Sequence, residues 1–519
     1  MQTGKIANIC GKYVIDGEKK NILKNNHLLL PNDTVEYTIS DNMIMIHKII
    51  SRAKDIQYIL GIVSNIENNI ITLFCPNYPK TFNPNIKNNN YNIHNVLIIA
   101  ITINNIDVIK KYDSIMDRSN DVNIMLELYK LSSLNKINLD YIVNDNYYTK
   151  NEIVDLTHLH TFNVDPTESK DFDDAISIEN NKIYVHIVDF NSMIPKNSNI
   201  DYNAFSSSFT LYLPEHIENI LPKELAEDKL SLIKGLPRNV ITVEYTLDNC
   251  EIVKYDIYRS IIVIKERYDY KNFVVNDYML LLNFYKKWSE NSVNINVPHV
   301  KLNICNNIID SYSYESNCDI AHKIIEMMMI LTNSTISNHI PKNVPQRFHS
   351  SIKMNNNKLL QEKLCDNDVI NNILFIKKYR NALYSNTDMG HFGLGLKTYT
   401  HFTSPIRRYF DVTIHRLLAG YMYNNIEEIL DHINSMEKNI DNIVKLYNML
   451  KILDYLNRNK DKKFVAYVLN INEMGITVII DGLLYCIFIF TKKIYKIGDK
   501  INIKIKNVIW EKLEVKATD

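Results

Sequence analysis

Short apolar runs alternate with polar positions through the N-terminal part of the chain. KIANI, KYVID, HLLL, TVEYTI and MIMIHKII carry the period of two expected of half-buried strands, and Pro31-Asn32-Asp33 and Ser40-Asp41-Asn42 punctuate them as turns. Five such strands within residues 1–55 predict a small barrel of the OB type. QYILGIVSNI, NIITLFCP and NVLIIAITI predict a second over residues 56–105, with an Asn-rich loop at 82–94. The segments IDVIKKYDSIM and VNIMLELYKLSSL then predict a helical connector over 106–153. A long mixed unit follows over 154–460. It is expected to contain the strands NVITVEYTL and IVKYDIYRSIIVI, a strongly apolar helix at 319–339 whose Met cluster reads as core, and a helical segment over 421–462. From Phe464 the alternation returns in FVAYVLNI, GITVIID, LLYCIFIF and KINIKIKNVIW, which predicts a five-stranded barrel over 463–519.

Within the central unit, one stretch carries chemistry. In DPTESKDFDDA, the aspartates Asp165, Asp171, Asp173 and Asp174 fall within ten residues. Behind them AISIE, Asn180-Asn181 and KIYVHIVDF predict a hairpin with a two-residue turn, so the carboxylates sit on a loop held by a strand pair. Two unit charges ~4 Å apart at an effective dielectric of ~20 repel by about 4 kcal/mol. Such a loop either holds protons or binds a hard divalent cation through oxygen ligands, which points to Mg²⁺. A solvated acidic turn is the plainer alternative. An EF-hand is excluded, because the sixth and twelfth positions from Asp171 are Ile176 and Lys182 rather than Gly and Glu.

A second block reads YTHFTSPIRRYFDVTIHRLLAG over 399–420. Ser404 is a candidate N-cap and Pro405 a candidate first helical residue, with Leu418 or Ala419 as the end and Gly420 as the stop. Arg407 then lies in the first turn, where its guanidinium and the free backbone N–H groups face one anion, a phosphate site. Arg407, Asp411 and His415 follow at i, i+4 and i+8 and are expected on one face. The alternative is a capped helix with surface arginines.

Composition narrows the class. The chain of 519 residues is 46% hydrophobic and 23% charged with zero formal net charge, so any basic surface must be local. Its scattered cysteines include no CxxC pair, which argues for a reducing, cytoplasmic setting without zinc or disulfides. The N-terminus lacks the shape of a signal peptide, and no apolar run is long enough to span a bilayer. The overuse of Asn, Ile and Lys reads as genome composition bias.

Taken in order, DPTESKDFDDA, YVHIVDF, YLPEHIENILPKELAEDKLSL, IIEMMMILTN, RFH, HFGLGL and YTHFTSPIRRYFDVTIHRLL resemble the ribonuclease II/ribonuclease R family, the RNB-domain exoribonucleases. The resemblance implies an α+β multidomain fold: two N-terminal OB-like, cold-shock-type barrels, a central mixed α/β RNB catalytic domain, and a C-terminal S1-like OB barrel. It implies a monomeric, processive 3′→5′ exoribonuclease that degrades single-stranded RNA to nucleoside 5′-monophosphates with Mg²⁺, or Mn²⁺ in its place. Asp165, Asp171, Asp173 and Asp174 would be the metal carboxylates, with Asp173, Asp174 and Arg407 catalytic. Tyr212 would stack on the terminal nucleotides, and Arg347, His349, His401, Arg407 and Arg408 would contact RNA. The competing expectation is a catalytically silent RNA-binding regulator of the same fold. Some features depart from the family: the S1-like segment is short and its GLLYCIFIF strand unusually apolar for an RNA-facing barrel, the N-terminal barrels are trimmed and divergent, and Phe410 stands where the family commonly has a small residue or proline.

Overall fold

A computed structural model of the chain describes residues 2–9, 12–15, 21–22, 28–40, 43–52, 56–78, 84–133, 141–143, 150–289, 299–315, 319–340, 344–349, 367, 370–373, 381–387 and 390–519. The first sheet has five strands in the order Lys12–Ile15, Gln2–Ile9, Thr34–Ser40, Met43–Ser51, Asn21–Ile22. The described part of HLLL is not among them. Leu28–Leu30 instead runs into the turn at Pro31-Asn32, with Leu29 and Leu30 buried and the Leu30 N–H donating to Asp33 Oδ2 at 2.9 Å.

The second sheet also has five strands, in the order Ile106–Tyr112, Val96–Ile101, Gln57–Glu67, Ile70–Phe74, Asn85–Lys87. Ile106–Tyr112 was expected to be helical and is a strand. It pairs antiparallel with Val96–Ile101 across a bulge at Val108/Lys110. The free edge of Val96–Ile101 overrides the local helical spacing, as tertiary pairing commonly does for short β-branched runs. Of the expected connector, Asp121–Ser132 is helical.

The central sheet has six strands and curls back on itself. The 18-residue strand Glu251–Tyr268 pairs antiparallel with Pro237–Asp248 and in parallel with both Lys150–Asp155 and Thr161–Val164. Asp174–Glu179 and Lys182–Val188 form the expected hairpin, and Asn180 at its turn takes a positive φ of 54°. Around this sheet pack helices Asn199–Ser207, Met279–Ser289, Ile320–His339, Tyr409–Leu418 and the long Ile426–Arg458. Met327 and Met328 of Ile320–His339 are core, as their pattern predicts. Tyr421–Tyr423, expected within a helix, pairs as a strand with Tyr141–Val143.

The terminal sheet orders its five strands Cys486–Phe490, Gly475–Ile480, Lys463–Asn472, Lys500–Ile509, Glu514–Thr518. The apolar strand resolves by alternation: Ile487 and Ile489 are buried, while Cys486 and Phe490 face out, Phe490 with 75% exposure. The molecule is thus an α+β chain whose OB-like five-stranded units flank a central mixed unit. Among the described residues no helix is long and apolar enough to cross a membrane.

Candidate active site

The acidic loop is built by backbone ties around one buried ring. Asp165 follows Thr161–Val164, and its N–H donates to the Tyr268 carbonyl at 3.2 Å. Phe172 is buried between the aspartates, with the Arg267 guanidinium 4.6 Å from its ring centre. Arg267 Nη2 also donates to the carbonyls of Thr167 and Ser169, at 3.2 and 3.3 Å. Ser231 Oγ accepts the Phe172 N–H at 3.0 Å and donates to the Lys170 carbonyl at 2.8 Å. Asp174 enters the hairpin opposite Ile187, and the Asp173 carbonyl accepts the Val188 N–H at 3.0 Å. The loop is therefore fixed on both sides before any carboxylate finds a partner.

Two of those partners come from far along the chain. Asp173 Oδ1 accepts the Ile406 N–H at 2.8 Å, and its Oδ2 lies 3.6 Å from Arg407 Nε. Arg407 Nη2 donates to Ser404 Oγ at 2.9 Å. Tyr212 lies on a strand of the hairpin Leu211–Leu213/His216–Glu218, and its hydroxyl donates to Asp171 Oδ2 at 2.8 Å while 41% of the residue is exposed.

The helix start differs from expectation. The helix begins at Tyr409 with Arg408 in the capping position, so Ser404 is not the N-cap and Pro405 is not the first helical residue. Residues 405–407 form a turn instead. Backbone pairing with residues 208–210 outcompetes the extra helical turn: Tyr409 N–H donates to the Ser208 carbonyl at 2.7 Å and Thr210 N–H to the Arg407 carbonyl at 3.0 Å. Arg407 consequently leaves the face it was expected to share with Asp411 and His415. Those two are buried: Asp411 Oδ1 takes the Ser404 N–H and Arg408 Nη2, each at 2.8 Å, and His415 Nε2 bonds the Phe402 carbonyl at 2.9 Å.

Burial dominates the electrostatics. It pushes the Asp165 carboxyl well above the usual carboxylate range, helped by the negative charges of Asp174 and Asp171. Burial likewise pushes Asp173 well up and Asp174 to about 6, with Arg407 pulling both back. The Tyr212 hydroxyl is raised by burial and then by the Asp171 charge. Asp165 Oδ2 is buried without a hydrogen-bond partner. A set of hard oxygen donors whose charges oppose one another has the chemistry that suits a divalent cation. Among the described residues, however, no three His, Cys, Asp or Glu groups converge closely enough to hold one. Asp173 is engaged by Ile406 and Arg407, and Asp171 by Tyr212.

The remaining expected contacts form a second group beside the turn. Arg347 Nη1 pairs with Glu437 Oε2 at 2.7 Å, and its guanidinium lies 4.4 Å from the centre of the Tyr384 ring. His401 Nδ1 shares a hydrogen bond with the Tyr384 hydroxyl at 2.9 Å, and burial with the nearby Arg408 and Arg347 charges keeps it neutral. His349 Nδ1 accepts the Gly393 N–H at 3.0 Å and stands 5.2 Å, ring to ring, from His391. Phe410 is buried against Tyr384, with ring centres 3.9 Å apart. Tyr384, Glu437 and Tyr270 escaped sequence reasoning, since each lies in a segment without a motif. Tyr270 stacks on His322, and the Asp174 and Asp165 charges reinforce burial in raising its hydroxyl.

Residues 153–424 match the RNB domain. Ribonuclease R of Aquifex aeolicus is 25% identical over 466 residues, covering 70% of this chain and 64% of that protein. The chain thus spans less than two thirds of that relative's length. Among solved structures, Mycoplasma genitalium RNase R in complex with ribose methylated single-stranded RNA superposes with a TM-score of 0.77 at 22% identity, covering 100% of both chains. Yeast Ssd1, a pseudonuclease, superposes with a TM-score of 0.71 at 16% identity over 94% of this chain and 78% of its own.

Proposed function

The chain belongs to the RNB-domain family, and from that premise we propose that it is a processive 3′→5′ exoribonuclease that hydrolyses single-stranded RNA to nucleoside 5′-monophosphates. The observation that carries this reading is the convergence of Asp173, Arg407 and Tyr212. The loop carboxylate lies 3.6 Å from the guanidinium, and the neighbouring Asp171 receives the hydroxyl of a half-exposed tyrosine. The Mycoplasma genitalium RNase R of the same fold is in complex with ribose methylated single-stranded RNA, which supports RNA as the partner of this chain. The unbridged Cys75, Cys250, Cys305 and Cys486 fit a cytoplasmic setting.

In this reading Asp165, Asp171, Asp173 and Asp174 are the residues that would hold divalent cations, Mg²⁺ or Mn²⁺, and binding would have to draw them closer together than they stand here. When bound, these would ease deprotonation of the attacking water and neutralise the departing oxygen. Arg407 sets positive charge against the phosphoryl oxygens as the charge on them grows. Asp173 aims Arg407 through the Nε contact and fixes the turn that carries it through the Ile406 N–H. Tyr212 offers its ring to a base and is kept upright by Asp171. Arg347, His349, His401 and Arg408 line the approach of the strand, with His401 as a neutral hydrogen-bonding group rather than a cation.

The likeness to the pseudonuclease Ssd1 supports a second reading, a silent RNA-binding regulator. A time course on 5′-labelled single-stranded RNA with and without Mg²⁺, run beside Asp173→Asn, separates the two. Shortening from the 3′ end that requires both metal and Asp173 supports the nuclease. Binding without shortening by the parent protein supports the regulator.

A further inference from the structure

The Tyr212 hairpin is too short to hold its own shape. It has three pairs, Leu211 with Glu218, Tyr212 with Ile217, and Leu213 with His216, and an isolated two-stranded hairpin is marginal in water. Its base is tied to the Arg407 turn by the Thr210 N–H and by a bridge between Phe209 and Arg408. Its tip is tied to the long helix Ile426–Arg458. There Glu215 Oε2 accepts the Tyr447 hydroxyl and lies 2.8 Å from Lys451 Nζ. Tyr447 and Lys451, one helical turn apart, both face the hairpin tip.

Lys451 is unusual in this place, for its side chain is 0% exposed. Its ammonium also lies 3.3 Å from Asp121 Oδ2 and donates to the Asn307 carbonyl at 2.7 Å. Asp121 in turn lies 3.4 Å from Arg118 Nη1, and the Arg118 guanidinium sits 5.1 Å from the centre of the Trp510 ring in the terminal barrel. Two cations and two carboxylates thus form a balanced cluster where the connector helix, the long helix, the terminal barrel and the hairpin tip meet. Well-packed apolar residues commonly match such a cluster in stability. What the ions add here is direction: a hydrogen-bonded carboxylate accepts few positions, whereas an apolar contact tolerates sliding.

We propose that Glu215, held by Lys451 and Tyr447, is the positioning residue for Tyr212, setting the height of its ring over the acidic loop. The inference rests on the function proposed above, because it matters only if Tyr212 receives the RNA end. Glu215 touches no substrate. It acts through a side chain three residues away on the same hairpin.

The test is a double-mutant cycle in the full chain with single-turnover hydrolysis of labelled single-stranded RNA. Glu215→Ala is expected to slow turnover about tenfold, the scale for a slightly misplaced binding group, and to lower the melting temperature, because buried Lys451 keeps only one carboxylate partner. The Glu215→Ala/Tyr212→Ala protein is expected to be no slower than Tyr212→Ala alone, since both changes remove the same contact. Glu215→Gln, whose amide oxygen still accepts from Tyr447 and Lys451, is expected to recover most of the rate. Tyr447→Phe is the second probe should Glu215→Ala fold poorly, and its loss is likewise expected to vanish in the Tyr212→Ala background. Losses that multiply, or a Glu215→Ala protein with the parent's rate, overturn the positioning role alone. A parent that neither binds nor shortens RNA removes the functional reading and the inference with it.

Discussion

Asp173→Asn separates the chemistry of the acidic loop from its architecture. Asparagine keeps the carboxylate's shape, and its amide oxygen can still accept the Ile406 N–H now held at 2.8 Å. What disappears is the charge. At 3.6 Å from Arg407 Nε the bare attraction is about 4–5 kcal/mol at an effective dielectric of ~20. The Arg407 side chain is 42% exposed, so solvent reduces that to about 1 kcal/mol. Against this stands relief from burying an ion, since the Asp173 side chain is only 4% exposed. The two nearly cancel, and a residual of about 1 kcal/mol moves the melting temperature by no more than about 3 °C in a protein of this size. Turnover has no such compensation. Losing one charge from the phosphoryl-transfer site forfeits about 4 kcal/mol of transition-state stabilisation, or about 10³-fold in rate. The assay pairs a single-turnover time course on 5′-labelled RNA with a filter-binding titration and a thermal melt. The expected protein binds RNA, melts like the parent and does not shorten the label. Near-parent turnover would refute the role given to Asp173. Lost turnover accompanied by a melting drop of ten degrees or more would show that the residue serves the fold instead.

Other outcomes follow from the same geometry. Arg407→Ala should cut turnover by about 10²-fold and affinity by less than about threefold, because the guanidinium acts on charge that develops in the reaction; a loss mainly in affinity would make it a positioning cation. The metal-free protein should melt lower as pH rises from 5 to 7.5. The raised carboxyls of Asp165, Asp173 and Asp174, the last at about 6, contribute stability that is full below the ordinary carboxylate range and is lost as pH passes their native values. Mg²⁺ should restore melting most at the upper end, and identical pH curves with and without it would argue against the loop as its site. Phe410→Ala should cost about 3–5 kcal/mol of unfolding free energy, read from the denaturant midpoint, because the ring is buried on Tyr384 at 3.9 Å.

What was legible in the sequence was local. The hairpin behind the aspartates, the strand bearing Tyr212 and the apolar helix Ile320–His339 follow from period and turn chemistry, which need no partner from elsewhere. The errors arose where distant backbone intervened. Ser404-Pro405 has a sound helix-start signature, but the free N–H and carbonyl groups of 208–210 pair with residues 407–409 and delay the helix to Tyr409. Ile106–Tyr112 has a passable helical spacing, but Val96–Ile101 offers it an open edge. Tyr384 and Glu437 could not be read at all, because their place beside Arg347 and His401 is set by tertiary packing alone.

The delayed helix start also explains why the site needs this fold. Had the helix begun at Ser404, Arg407 would have shared the face of Asp411 and His415, both of which are buried. The break, a turn at 405–407, instead places the Ile406 N–H and the Arg407 guanidinium on the same Asp173 carboxylate. The segment that enforces the break, residues 208–210, leads directly into the strand that carries Tyr212. One backbone pairing therefore fixes the relative placement of the phosphate-facing arginine, the loop carboxylate and the base-facing tyrosine. A substitution that disturbs it, such as Ser208→Pro at a residue with a φ of 58°, should misplace all three together.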